Sequence, residues 1–110
     1  MFDLKKFQEE QRIWSTKNFG ETYGSGYRSI LGAVEELGEL AHAHLKSEQG
    51  IRTDEDHTLA KKDAVGDIVI YLADYCWREG LSLEDCISDA WEIVSKRDWS
   101  NKKNGNKIDE

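Results

Sequence analysis

The sequence predicts an all-α fold, a bundle of four to five helices whose core is completed by homo-oligomerisation. Three observations carry this expectation. The 110 residues include no proline and are 34% charged, a composition suited to helices. Apolar residues recur at three- and four-residue spacing in four segments, with polar or glycine-bearing stretches between them. The third of these segments is apolar on nearly all sides, so it belongs at the centre of an assembly, packed on more than one partner. Four helices of this size cannot cover such a helix and also bury four Trp residues, which predicts a homodimer or a homotetramer. The length fits one domain, residues 1–98, followed by a polar tail at 99–110.

The first helix is expected from Asp3, a candidate N-cap, to Lys17, with Leu4, Phe7, Gln11 and Trp14 on one stripe. Asn18 to Gly26 carries three glycines and reads as a loop. The second helix runs from Tyr27 to Lys46 or Ser47, with Ile30, Leu31, Val34, Leu37, Ala41 and Leu45 inward, and stops before Gly50. Thr53 is a candidate cap for the third, whose first turn would hold Asp54, Glu55 and Asp56, where the helix dipole favours acids. Ile68-Val69-Ile70-Tyr71 would also suit a strand. Its flanks continue helically and no hairpin signal bounds it, so the helix extends to Glu79 and Gly80 ends it. Ser82, with Glu84 and Asp85 in the first turn, opens a fourth helix reaching Lys96 or Arg97, and a frayed or disordered tail is expected from Trp99.

Charge and cysteine content narrow the function. A net charge of −7 argues against a nucleic-acid or anionic-membrane partner. Two cysteines, Cys76 and Cys86, are too few for a disulfide scaffold and lack zinc-site companions, so Cys76 reads as a buried free thiol. With no signal-like start and no apolar run near 18 residues, a soluble cytoplasmic protein is expected.

The chemistry is concentrated in five acids, Glu35, Glu36, Glu39, Asp63 and Asp67. Glu35 and Glu39 are four apart with Glu36 beside them, and Asp63 and Asp67 are again four apart. None has a Lys or Arg three or four residues away. Like charges at this spacing repel by roughly 0.2–0.5 kcal/mol per pair. Acidic helical faces are ordinarily solvated, but here Gly32 and Ala43 flank the first cluster, as if something must approach closely. Asp67 lies in the most apolar helix, where a carboxylate must be neutralised, hydrogen-bonded or metal-bound. Hard oxygen donors without Cys suit Mg²⁺, or Mn²⁺ in its place, rather than zinc.

Glu35-Glu36-Leu37-Gly38-Glu39, followed by Asp63-Ala64-Val65-Gly66-Asp67-Ile68-Val69-Ile70-Tyr71-Leu72, resembles the MazG-type all-α nucleoside triphosphate pyrophosphohydrolases. Their signature is EExxE on one helix and ExxD on the next, and the resemblance spans residues 27 to 98. It implies a MazG-like bundle that hydrolyses a (d)NTP to the monophosphate and pyrophosphate with Mg²⁺. The Glu of ExxD falls on Ala64, and the nearest acid, Asp63, is one residue earlier. One residue turns a side chain by about 100° on a helix, so Asp63 would act from a different angle.

On this resemblance Glu36, Glu39 and Asp67 would be metal ligands. Glu35 would be the general base or a ligand on the attacking-water side, and Asp63 a supplementary ligand. Phosphoanhydride hydrolysis needs charge neutralisation and an in-line water more than covalent help from the protein. Trp14, Tyr23, Tyr27 and Trp99 could stack on a base, with Trp14, Lys17 and Asn18 the favoured group. Lys46 or Lys96 could meet phosphate, Lys96 being favoured by its resemblance to the basic end of the family's last helix. Asp74, seven residues beyond Asp67, is a further substrate-binding candidate or a partner for Arg78. His42, His44 and His57 read as surface or helix-end residues. Two alternatives remain: a nucleotide-binding or dimerisation module with weakened catalysis, suggested by Ala64, and a di-iron bundle. For the latter, Glu39-x-x-His42 has the right spacing, and Asp54/His57 stands too far along to face it.

Overall fold

A computed structural model describes residues 1–21, 25–50 and 56–101. Four helices follow one another: α1 (Leu4–Phe19), α2 (Ser25–Gln49), α3 (His57–Arg78) and α4 (Leu83–Val94), then a 3-10 turn (Trp99–Asn101). The described residues contain no strand, so the apolar run around Val69 is helical, as its flanks require. No helix among them is long and apolar enough to cross a membrane.

Local chemistry fixes the helix ends. The Asp3 carboxylate accepts from Lys6 N–H at 3.1 Å and starts α1. The Ser82 hydroxyl accepts from Asp85 N–H at 3.2 Å and starts α4. At α3 the cap is Asp56, whose carboxylate accepts from Leu59 N–H at 2.9 Å, so Asp56 precedes the first turn rather than belonging to it. Asp is at least as good a cap as Thr; Thr53, Asp54 and Glu55 lie outside the described residues. Gly80, at φ +73°, ends α3 in a Schellman arrangement, with Leu81 N–H donating to Cys76 C=O at 2.7 Å and Gly80 N–H to Trp77 C=O at 3.4 Å. Gln8 of α1 brackets the turn that follows: its side-chain amide donates to Leu81 C=O at 2.9 Å and accepts from Leu83 N–H at 2.6 Å.

The expected boundaries shift by small amounts. α1 runs on to Phe19, α2 begins at Ser25 and reaches Gln49, and α4 ends at Val94, short of Lys96. Residues 99–101 form a turn rather than a frayed start to the tail, with Asp98 accepting from Ser100 N–H at 3.0 Å. Residues 102–110 lie outside the described residues.

α3 is the central element, touching α1, α2 and α4. Rising positions on α2 meet falling positions on α3: Gly26 faces Tyr75, Gly32 faces Tyr71, and Lys46 shares a cavity with His57. The two helices are therefore antiparallel. A Cβ on Gly32 would collide with the Tyr71 ring, which explains the small residue flanking the acids: an aromatic side chain of α3 makes the close approach.

Two expected stripes are corrected. On α1 the buried set after Leu4 and Phe7 is Gln11 and Ser15, and Trp14 is more than half exposed. On α2, Ile30, Leu31, Val34, Leu37, Ala41 and Leu45 face outward, with Val34 60% and Leu37 57% exposed. α2 instead meets α3 through Ser29, Gly32, Glu36 and Ala43, because the Tyr71 and Tyr75 rings need small neighbours. The core within one chain is accordingly small. Ala73, Cys76 and Leu83 are buried, with Leu4, Phe7 and Val69 packed against them. Cys76 is a buried free thiol, as expected, and Cys86 is exposed.

Candidate functional site

Asp74 of α3 anchors a polar cluster that ties three helices together. Its carboxylate accepts from the Gln11 side-chain amide at 2.9 Å, Ser29 Oγ at 2.5 Å and Arg78 Nε at 2.8 Å. Arg78, with only 2% of its side chain exposed, also donates from Nη2 to Ser15 Oγ at 2.8 Å and from Nη1 to Glu21 C=O at 2.7 Å. Gln11 Oε1 accepts from the Trp77 indole N–H at 2.7 Å. Burial would raise the Asp74 pKa, but hydrogen bonds from Ser15, Ser29, Gln11 and Arg78 outweigh it and hold the group down at about 2. The cluster fixes the α1 end, the start of the connection to α2, and α3 against one another.

Beside this cluster lies a cavity of about 620 Å³. Trp14, Phe19, Leu31, Ile70 and Tyr71 give it aromatic and aliphatic walls, and Glu35, Glu36 and Asp67 close one side. Trp14 and Phe19 meet edge to face at 5.8 Å between ring centroids. A second cavity, about 440 Å³, lies along the α2–α3 seam, lined by Glu36, Glu39, Asp63 and Asp67 together with His42, Lys46 and His57. Glu36 and Asp67 belong to both cavities and form the partition between them.

The five acids are thus distributed rather than gathered in one ring. Glu35 faces the first cavity, Glu39 and Asp63 the second, and Glu36 and Asp67 both. Glu36 is the focus: its Oε2 is buried without a hydrogen-bond partner. Burial raises its pKa, and the charges of Glu39, Asp67 and Glu35, with the close contact to the Glu39 carboxyl, push it further in the same direction. The Tyr71 phenol is raised as well, by burial first and then by Glu36, Glu35, Asp67 and Asp74, so it stays a neutral O–H donor beside the acids.

The donor set fits a hard divalent cation in kind: carboxylate oxygens of one sign, one of them buried and unsatisfied. Among the described residues no three His, Cys, Asp or Glu side chains are grouped closely enough to hold a metal ion. The carboxylates would have to draw together around an ion, as mutually repelling acids do once their charge is neutralised.

Of the other residues singled out by sequence, Trp14 and Asp74 line the first cavity; Lys17, Asn18, Tyr27, Lys96 and Trp99 line neither. Asn18 donates to Trp14 C=O at 2.8 Å, and Lys96 pairs with Glu92 at 2.5 Å. Tyr23 lies outside the described residues. His44 pairs with Glu48 on the surface at 2.8 Å. His57, expected too far along to face Glu39 and His42, lines the same cavity as both, because α3 runs antiparallel to α2. The alternative that Asp74 pairs with Arg78 is what the structure shows, at 2.8 Å; sequence reasoning missed Ser15, Ser29 and the bond from Gln11, and did not assign Tyr71 to the site. Gly32 was the available signal for Tyr71, and no spacing rule links α1 to Asp74. Comparison of the chain with family models, with curated proteins and with solved structures finds no match.

Proposed function

We propose that this chain is a MazG-like, Mg²⁺-dependent nucleoside triphosphate pyrophosphohydrolase that acts in the cytoplasm as a homodimer or homotetramer. The observation that carries the reading is the unsatisfied buried oxygen of Glu36, pressed on by Glu39, Asp67 and Glu35 at the edge of a cavity with aromatic walls. A fold that satisfies Asp74 so thoroughly and leaves Glu36 unsatisfied reserves the latter for something that arrives from outside.

Glu36, Glu39 and Asp67 would hold Mg²⁺, with Asp63 supplementary. When bound, the ion supplies charge neutralisation on the phosphates and a lower pKa for the attacking water. Glu35, on the first-cavity side, accepts a proton from that water. The water oxygen bonds to the α-phosphorus, and the bridging oxygen to the β-phosphorus departs with pyrophosphate. Trp14, Phe19, Leu31 and Ile70 present the surface on which a base would rest.

Oligomerisation is supported by what one chain leaves bare. Tyr27, Ile30, Leu31, Val34, Leu37 and Leu45 on α2, and Ile87, Trp91 and Ile93 on α4, are all exposed. Fully burying such side chains is worth about 1.5–3 kcal/mol each, far more than the small core of one chain can offer. Sedimentation at micromolar concentration should give a dimer or larger, and a monomer would contradict this part of the proposal.

A second reading, a nucleotide-binding module with weakened catalysis, is favoured by the buried Ala64 in the ExxD position and by the lack of a closed three-ligand group among the described residues. A pyrophosphate-release panel over the eight common (d)NTPs in Mg²⁺ separates the two. Turnover of at least one nucleotide, abolished by Glu39→Gln, is expected. Nucleotide binding without any turnover would favour the module.

A further inference from the structure

The second cavity differs in charge between its two ends. Along the α2–α3 seam it begins at the acids Glu36 and Asp67 and ends at Lys46 of α2 and His57 of α3, with His42 beside them. The small side chains Ala43, Ala60 and Ala64 line the space between, with the carboxylates of Glu39 and Asp63 among them, so four acids could share the cation before the seam reaches Lys46. Glu36, Ala43 and Lys46 follow one another at helical spacing on α2, and Asp67, Ala64, Ala60 and His57 do so in the opposite direction on α3. Among the described residues Lys46 has no ion-pair or hydrogen-bond partner.

A ligand complementary to this seam carries a cation at one end and bare anionic oxygens at the other. An apolar ligand would strand the carboxylates, and a simple cation would meet repulsion at Lys46. A magnesium-chelated diphosphate matches both ends. The first cavity, by contrast, offers aromatic and aliphatic walls suited to a nucleoside.

We infer that the seam cavity is the seat of the pyrophosphate leaving group. Lys46 and the imidazole N–H groups of His42 and His57 hold its terminal phosphate, and the scissile α–β linkage lies across the Glu36–Asp67 partition. This rests on the pyrophosphohydrolase reading above. The geometry gives the two products separate exits, the nucleoside monophosphate from the first cavity and pyrophosphate from the second. Lys46 acts on the part of the substrate that leaves, so it is a binding residue for β- and γ-phosphate and not for the base.

The test is direct binding of inorganic pyrophosphate and of a nucleoside monophosphate, each in Mg²⁺, to the full chain and to Lys46→Gln and His57→Gln, followed by calorimetry. Both side chains are only partly buried, and circular dichroism verifies that the variants are folded. Lys46→Gln should weaken pyrophosphate at least tenfold and His57→Gln severalfold, with monophosphate affinity within twofold of the parent. Unchanged pyrophosphate binding in both variants, or equal loss of both ligands, overturns the assignment. If the parent hydrolyses nucleotides while Lys46→Gln binds pyrophosphate normally, only the subsite fails. If the parent binds pyrophosphate through Lys46 without hydrolysing any nucleotide, the subsite stands and the enzyme reading fails. A parent that neither binds pyrophosphate nor turns over a nucleotide overturns both.

Discussion

Two carboxylates of the α2–α3 seam are treated in opposite ways. Asp74 is met by Gln11, Ser15, Ser29 and Arg78 and titrates at about 2. Glu36 has a buried oxygen with no partner, three acids around it, and a raised pKa. Asp74 is where the fold holds itself together. Glu36 is the acid it leaves unsatisfied, Thr16 Oγ1 and Arg97 Nε being the other buried atoms without a partner among the described residues, and a chain that supplies four partners to one acid does not leave another bare for want of polar residues. On the proposed function, the difference separates an acid that holds the fold together from acids that would hold a ligand.

The sharpest way to break the comparison is to neutralise each acid in turn. Glu36→Gln or Asp67→Asn should lower pyrophosphate release on the order of 100-fold or more, as loss of a preorganised charged group does, while the melting temperature in the absence of Mg²⁺ holds or rises. Arg78→Ala should do the reverse at the level of folding. It strips a buried partner from Asp74 and should cost about 3–5 kcal/mol in urea unfolding. A stable Arg78→Ala protein would show that the cluster is not what anchors α1 to α3.

The pH dependence of stability should differ in sign between the two acids. Asp74 is held at about 2 in the folded chain against an ordinary 3.8. Its contribution is therefore complete above pH 4 and is lost as pH falls from there towards 2. Glu36 binds its proton more tightly when folded, so its charge works against folding above the raised pKa, and that cost disappears as pH falls through it. Urea midpoints of the parent and of Asp74→Asn should draw together as pH falls from 4 and converge only below about pH 2. Persistent separation there would contradict the role given to Asp74.

The smallest effects concern two glycines of α2. Gly32→Ala forces the Tyr71 ring off the helix and should cost about 1–3 kcal/mol, the usual penalty for overpacking. A Cβ on Gly38 meets nothing within 4 Å, so Gly38→Ala should stabilise by about 0.5–1 kcal/mol through lost unfolded-state entropy. Thermal melts compare the pair, and a destabilised Gly38→Ala would reveal a second chain seated there.

Much of this was legible in the sequence. Capping residues marked the starts of α1 and α4, Gly80 marked the end of α3, and the unbroken apolar run of α3 announced a central helix. The small residue at Gly32 signalled a close approach but could not say that Tyr71 makes it. The apolar stripe from Ile30 to Leu45 gave the wrong inward face, because periodicity shows which residues share a face and not which chain covers it. The Asp74 cluster draws Gln11 and Ser15 from about 60 residues away along the chain, about which local spacing carries no information. The acids were found as a group, but their division between two cavities follows from the antiparallel pairing of α2 and α3.

Glu36, on the proposed function, is a ligand for a cation. Calorimetric titration of Mg²⁺ into the parent and into Glu36→Gln tests it most directly. The parent should bind Mg²⁺ and the variant at least tenfold more weakly, with both equally folded. Equal binding by the two proteins, or no binding by the parent, would contradict it.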